Sequence, residues 1–378
     1  MSKKEKYFEN LDGLRFLCFL SVFLFHSFYT EFQYIKTTDI YLFITKNIFG
    51  NGNIGVNFFF VLSGFLITYL LIEEKKLNKK INIVNFWIRR MLRIWPLYFM
   101  CVFFGFFCFP LIKVAFGQTT NETASIVYYL SFINNFDFIK RGLPDASILG
   151  VLWSVAIEEQ FYFIWPIILY FLPIKKYWIA FLSVIITSIL FRAFNDTFIM
   201  HEHHTLSCIG DMAVGAFGAW LISEKKMFLQ KFENLRKYQI LILYCIFIVI
   251  FFFRKELLLH YYGIRIFERL FISLIIISII LEQNYAKNSF FKLGKFKMIS
   301  KLGKISYGLY CLHFIGILVA INITKIFEIN THLWQIIIIE TSLALIITII
   351  ISKISYKFYE TPFLKLKNKF SYKNNPKL

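Results

Sequence analysis

Ten blocks of predominantly apolar residues run through the chain, at about 14–30, 54–72, 94–116, 151–172, 177–191, 207–223, 238–253, 267–281, 306–323 and 335–352. Their lengths are close to the roughly 20 residues that carry an α-helix across a bilayer; the fifth and eighth, at 15 residues, are the shortest. Each block is apolar throughout, without the in-out alternation of barrel strands, so helices are predicted. The expected fold is all-α, a polytopic membrane protein of about ten transmembrane helices. Composition agrees: 58% of residues are apolar and 17% charged, against roughly half and a quarter in a soluble domain. The 48 Phe and 21 Tyr exclude a disordered chain.

A net charge of +19 in a soluble chain would suggest nucleic acid. Here its distribution follows topology. With the N-terminus inside and the blocks alternating, the inner segments hold 30 of the 42 Lys and Arg, which orients the chain with both termini cytoplasmic. The inner (cytoplasmic) membrane is the expected location, with membrane lipids as partners and no nucleic acid. The opening MSKKEKYFENLDGLR is basic and then apolar, like a signal peptide, but no small-x-small cleavage site follows, so a retained first span is expected. Residues 1–362 form the predicted membrane domain. Residues 363–378 form a basic cytoplasmic tail, solvated or bound to lipid headgroups. The external loop 117–150, with its GLPDAS stretch, is placed to cap an outer mouth, and 282–305 is a basic inner linker.

The six cysteines lie in apolar blocks without CxxC spacing, so neither a zinc site nor a disulfide framework is indicated. The HEHH run at 201–204 has no partner cluster in the sequence, and no metal is expected. The NET at 121–123 fits a glycosylation acceptor, but nothing establishes a compartment that would use it. No sequence feature speaks to oligomeric state, which stays unknown.

Ionisable residues inside hydrocarbon are costly and mark cavities or function. In the first block, Arg15 and His26 are eleven residues apart, which puts them on one helix face about 16 Å apart along the axis. His26 suits proton transfer from a hydroxyl, or it hydrogen-bonds a neighbouring helix while Arg15 snorkels to headgroups. At the entrance to the third block, Arg90 and Arg93 share a face beside Arg89. They either clamp a phosphate, which suits guanidinium forks, or anchor the chain on its inner side. In LWSVAIEEQFYFIWP, Ser154, Glu158 and Tyr162 share a face near the outer boundary, with Trp153 as an interfacial anchor. They meet either a hydroxyl-rich acceptor or a cation of another helix. In ISYGLYCLHFIG, Ser306, Tyr310 and His313 form a polar stripe entering from the inner side; His313 is a second site residue or an inter-helix hydrogen bond. Ser63 and Gly64 of the second block permit close helix approach.

Together, LDGLR with the Arg-x10-His arrangement of Arg15 and His26, GVNFFFVLSGFLI, RRMLRIWPLY, LWSVAIEEQFYFIWP, ISYGLYCLHF and YKFYETPF resemble, in order from residue 11 to 363, the acyltransferase-3 family of integral membrane acyltransferases. The resemblance implies a ten-helix domain passing an acyl group, often acetyl, from cytoplasmic acyl-CoA (acetyl-CoA above all) to a hydroxyl of an extracytoplasmic glycan or lipid-linked sugar. It makes His26 the catalytic histidine, with Arg15 its motif partner. Arg90 and Arg93 match the RxxR element attributed to acyl-CoA, while Ser154, Glu158 and Tyr162 match WSxxxEEQFY, whose implied role is structure or acceptor positioning. One departure is visible: Asn57 stands where the family often has Asp before FFVLSG. The fused esterase-like domain of some relatives is not expected here. The rival function is a transporter or lipid-linked glycan flippase, with His26, Glu158 and His313 relaying protons or lining a path.

Overall fold

The computed structural model describes residues 8–371. Residues 1–7, with three of the basic residues used to orient the chain, and 372–378, the end of the predicted tail, lie outside the described residues. Among the described residues all regular structure is helical, and every predicted apolar block falls in or overlaps a long helix. In chain order these are α1 (Glu9–His26), α2 (Ile54–Asn78), α3 (Ile83–Ala115), α4 (Leu152–Phe171), α5 (Tyr177–Phe194), α6 (Thr205–Glu224), α7 (Lys237–Arg254), α8 (Tyr262–Tyr285), α9 (Ser306–Ile326) and α10 (Gln335–Phe370). The chain is therefore an all-α polytopic membrane protein. Seven of the helices (α2 to α6, α9 and α10) are long and apolar enough to cross a membrane by length and composition alone. The other three carry charge: Glu9, Asp12 and Arg15 in α1, Arg265, Glu268, Arg269 and Glu282 in α8, and Lys237 and Arg254 at the ends of α7.

Close packing in the middle of the bundle rests on glycine. A Cβ on Gly64 of α2 would lie 1.9 Å from the Met212 carbonyl oxygen, and one on Gly215 of α6 would lie 2.0 Å from that of Val61. The two backbones touch, as the small residues at 63 and 64 predict.

Helix α1 stops four residues short of the predicted block. Ser27 is extended and Phe28 adopts φ of 70°, a left-handed conformation that costs a non-glycine residue free energy. Burial offsets that cost: Phe28 packs with Ile35 and Ile336, its ring 5.1 Å from that of Phe49. The early stop makes His26 the last helical residue. At the other end of α1, the linker helix Lys297–Lys304 lies so close that a Cβ on Gly303 would sit 1.7 Å from the Asp12 carbonyl oxygen.

Two helices run more than ten residues beyond their apolar blocks. The first turn of α3 is capped by Asn82, whose side-chain oxygen accepts from the Asn85 amide at 2.9 Å. Arg89 and Arg90 thereby stand on regular helix. Helix α10 continues past 352 to Phe370 and docks on α3, where Arg89 Nη1 donates to the Phe370 carbonyl at 2.8 Å and the Tyr359 hydroxyl donates to that of Pro96 at 3.1 Å.

Candidate active site

Three cavities share walls from the start of α1 to its end. The first, of about 660 Å³, opens among Arg15, Arg89, Arg90 and Arg93. Arg15, Arg90, Arg93 and Tyr307 also line the second, a central cavity of about 100 Å³ with apolar walls from Val56, Phe59 and Phe60. Val56 and Tyr310 then separate the central cavity from the third, again about 660 Å³, which contains His26. Arg15 and His26, eleven residues apart on one helix, thus line the first and the last of three neighbouring cavities.

His26 is tied to α9. Its Nδ1 lies 3.2 Å from His313 Nε2, and His313 Nδ1 lies 2.7 Å from the Tyr310 carbonyl oxygen. A carbonyl only accepts, so His313 Nδ1 carries a proton and, in a neutral pair, His313 Nε2 is bare. It therefore accepts from His26 Nδ1–H. The network leaves His26 Nε2 as the unprotonated nitrogen. His313 is fully buried and His26 half-buried at the cavity wall. The first span and the polar stripe of the ninth, read separately from sequence, meet here.

Ser154, Glu158 and Tyr162 of the WSxxxEEQFY element line the central cavity. Ser63 donates to Glu158 Oε1 at 2.8 Å and the Tyr162 hydroxyl donates to Oε2 at 2.8 Å. Ser154 Oγ is 2.7 Å from the Tyr310 hydroxyl. Arg90 stacks against Phe86 and Tyr162, its guanidinium 5.6 and 6.0 Å from the ring centroids. Glu159 accepts from Trp95 Nε1 at 2.8 Å. Trp153, read from sequence as an interfacial anchor, lines the third cavity, its ring 4.5 Å from that of His203.

Phe138, Leu143, Pro144 and Ser147 of the 117–150 loop border the third cavity. Glu202, Arg254 and Arg269, which also line it, belong to a buried ionic cluster that sequence reasoning missed. Arg254 contacts Glu202 at 2.8 Å and also pairs with Glu268; Arg192 holds Glu268 at 2.9 Å and Arg269 holds Asp211 at 2.8 Å. Asn53 bridges, donating to Glu202 at 3.3 Å and accepting from Arg254 at 2.9 Å. Burial raises the Glu202 carboxyl, but the Arg254, Arg269 and Arg192 guanidiniums prevail and hold it down at about 2. The available signal was Asp211, Glu268 and Arg269 standing inside apolar blocks. Asn57, at the position of the family's Asp, donates to Asp211 at 3.0 Å. An ionised Asp there would set two carboxylates against each other.

The HEHH histidines are spoken for by packing: His201 bonds the Arg192 carbonyl at 3.0 Å, His203 stacks on Phe138 and His204 on Phe191. Among the described residues no group of three or more His, Cys, Asp or Glu is placed to hold a metal ion.

Fold and site define a helical membrane protein with a basic entrance at one end, a histidine pair at the other, and a narrow waist between them. The Acyltransferase domain family matches residues 8–356, and the chain belongs to this acyltransferase-3 family. It is 28% identical to the peptidoglycan O-acetyltransferase OatA of Listeria monocytogenes, over 98% of this chain and 60% of that one. It is 26% identical to the putative peptidoglycan O-acetyltransferase YrhL of Bacillus subtilis, over 96% and 55%. Over 44% of its length it is 30% identical to the O-acetyltransferase OatA of Staphylococcus aureus. The chain thus spans little more than half the length of the first two relatives. No solved structure matches it.

Proposed function

We propose that this chain is a membrane O-acyltransferase. It moves an acyl group, acetyl by analogy with its relatives' names, from cytoplasmic acyl-CoA to a hydroxyl of an extracytoplasmic or lipid-linked glycan. The observation that carries the reading is the His26–His313 pair beside the third cavity, whose hydrogen bonds fit a His26 tautomer with Nε2 bare, in a row of cavities that begins among arginines.

In this reading the ten long helices cross the membrane with both termini cytoplasmic, and Arg90 and Arg93 take the donor's phosphates at the inner end. Arg15 stands where the first cavity narrows into the second. Ser154, Glu158 and Tyr162 line the waist that the acyl-bearing arm would thread, and Tyr310 bounds it on the side of His26. The acceptor enters from outside, where Asn53 and Glu202 offer planar polar groups and Trp153 an aromatic face. Transfer is direct. The hydroxyl oxygen bonds to the thioester carbonyl carbon while His26 Nε2 takes its proton; the C–S bond then breaks, and the departing thiolate recovers that proton. His313 holds the ring of His26 throughout. No step calls on a metal.

Labelled acetyl transfer from acetyl-CoA into membrane glycans, in a host lacking the gene, tests the reading. Wild-type should label and a folded His26→Ala protein should not, a loss of at least about 10²-fold for a general base. Near-normal labelling by His26→Ala sinks the mechanism. Glycan movement without dependence on acyl-CoA would favour the transporter.

A further inference from the structure

The C-terminal stretch reads in sequence as a tail, but it forms a wall of the first cavity. Arg15, Arg89, Arg90 and Arg93 of α1 and α3 line it, together with Lys304 from the linker helix and Lys365 and Lys367 from the last turns of α10. Seven cationic side chains thus share a space with two carboxylates, Asp12 and Glu360; Asp12 is engaged by Arg15 at 2.9 Å, and Arg89 pairs with Glu74 at 3.0 Å. The Arg89 hydrogen bond to the Phe370 carbonyl holds the end of α10 against α3. The cavity's volume of about 660 Å³ lies within the roughly 300–1,000 Å³ of small-molecule sites. Arg15, Arg90 and Arg93 are shared between this cavity and the narrow waist.

We infer that Lys365 and Lys367 form part of the donor site. The last turns of α10 add phosphate-binding cations to those of α3, for a donor carrying more than one phosphate on its nucleotide end. Cations drawn from α1, α3, the linker helix and α10 around one cavity suit a head group with separated phosphates better than a single guanidinium pair does. The waist beyond accepts the thin, uncharged arm of such a donor. This rests on the acyl-CoA reading and deepens it. The same lysines would also suit the phosphate of an anionic lipid headgroup, so the test separates the two sources.

The experiment uses the full chain, purified in neutral detergent, with free coenzyme A as the probe in calorimetric titration. The Lys365→Ala/Lys367→Ala double variant should bind coenzyme A about tenfold more weakly, equivalent to about 1.4 kcal/mol. Lys365→Arg/Lys367→Arg should stay near wild-type. Thermal midpoints are measured for both variants, and Lys365→Ala alone, at an exposed position, serves as the binding test if the double variant is destabilised. Wild-type that binds coenzyme A while the alanine variant binds it equally well overturns the inference and leaves the donor reading standing. Wild-type that does not bind coenzyme A overturns both. Native mass spectrometry with added phosphatidylglycerol decides the lipid alternative: loss of bound lipid by the alanine variant, with coenzyme A affinity intact, makes this wall a headgroup site and refutes the donor role.

Discussion

In the proposed mechanism His26 and His313 divide the work of a base between two rings, and the division makes a prediction at the scale of single atoms. His313 contributes an acceptor to His26 Nδ1–H and is itself fixed by the Tyr310 carbonyl. A leucine at 313 removes the acceptor, and the freed His26 ring can then take the other tautomer, so transfer should fall by roughly 10²-fold. In His313→Gln the carboxamide oxygen can accept in place of Nε2, and activity should recover in part. The measurement is labelling rate against pH for the two variants. Equal losses with an unchanged pH profile would reduce His313 to a packing residue. Both histidines were legible as residues, because a histidine inside an apolar block stands out. Their pairing was not, since residues 287 apart in the chain meet only through the packing of α1 on α9.

Among elements, the crossing of α2 and α6 is the contact that most depends on residue size. Leucine at Gly215 would drive a side chain into the Val61 carbonyl. The helices would have to separate at a cost of about 1–3 kcal/mol or more, read as a lower thermal midpoint in detergent. Gly263, in the first turn of α8, has no atom within 4 Å of its added Cβ, so Gly263→Ala should leave the midpoint unchanged or raise it slightly. A comparable loss in both variants would show that crowding at this crossing is not what glycine relieves. The small residues at 63 and 64 pointed to a close crossing, while the partner helix was not legible: Gly215 carries no local mark that pairs it with α2. Element ends were set by tertiary contacts too. Helix α1 stops at His26 because Phe28 finds a buried site off the helix path, and α10 extends to Phe370 because α3 offers it a surface.

For the molecule as a whole, the ionic cluster behind the outer cavity joins α5, α6, α7 and α8 to the linker that carries Glu202. Buried ions persist only when paired. The low pKa of Glu202 in the folded protein sets the direction of its pH dependence. Its ordinary value is 4.5 and its folded value about 2, so its contribution to stability is present above pH 4.5, declines as pH falls below that, and is lost below about 2. Glu202→Gln should therefore have a lower thermal midpoint than wild-type at neutral pH, and the gap should narrow as pH falls from 4.5 toward 2. A gap that is constant across this range would mean that the carboxylate charge is not what binds the cluster.

The sequence by itself determined the class of fold, because twenty-residue apolar blocks have one stable answer in a bilayer, and it determined the family through motifs that keep their order along the chain. It also marked the chemistry-bearing residues His26, Arg90, Arg93 and Glu158, since a charged or titratable group among Phe, Ile and Leu is conspicuous. Only the tertiary structure decided which of them share a cavity. It placed Ser154, Glu158 and Tyr162 on the waist with the arginines, brought Lys365 and Lys367 to the arginine-lined cavity, and gathered Glu202, Arg254 and Arg269 beside the cavity of His26. Helical periodicity fixes the face on which a residue stands, but the neighbour of that face depends on how ten helices pack, and that is settled by long-range fits such as Gly64 on Met212.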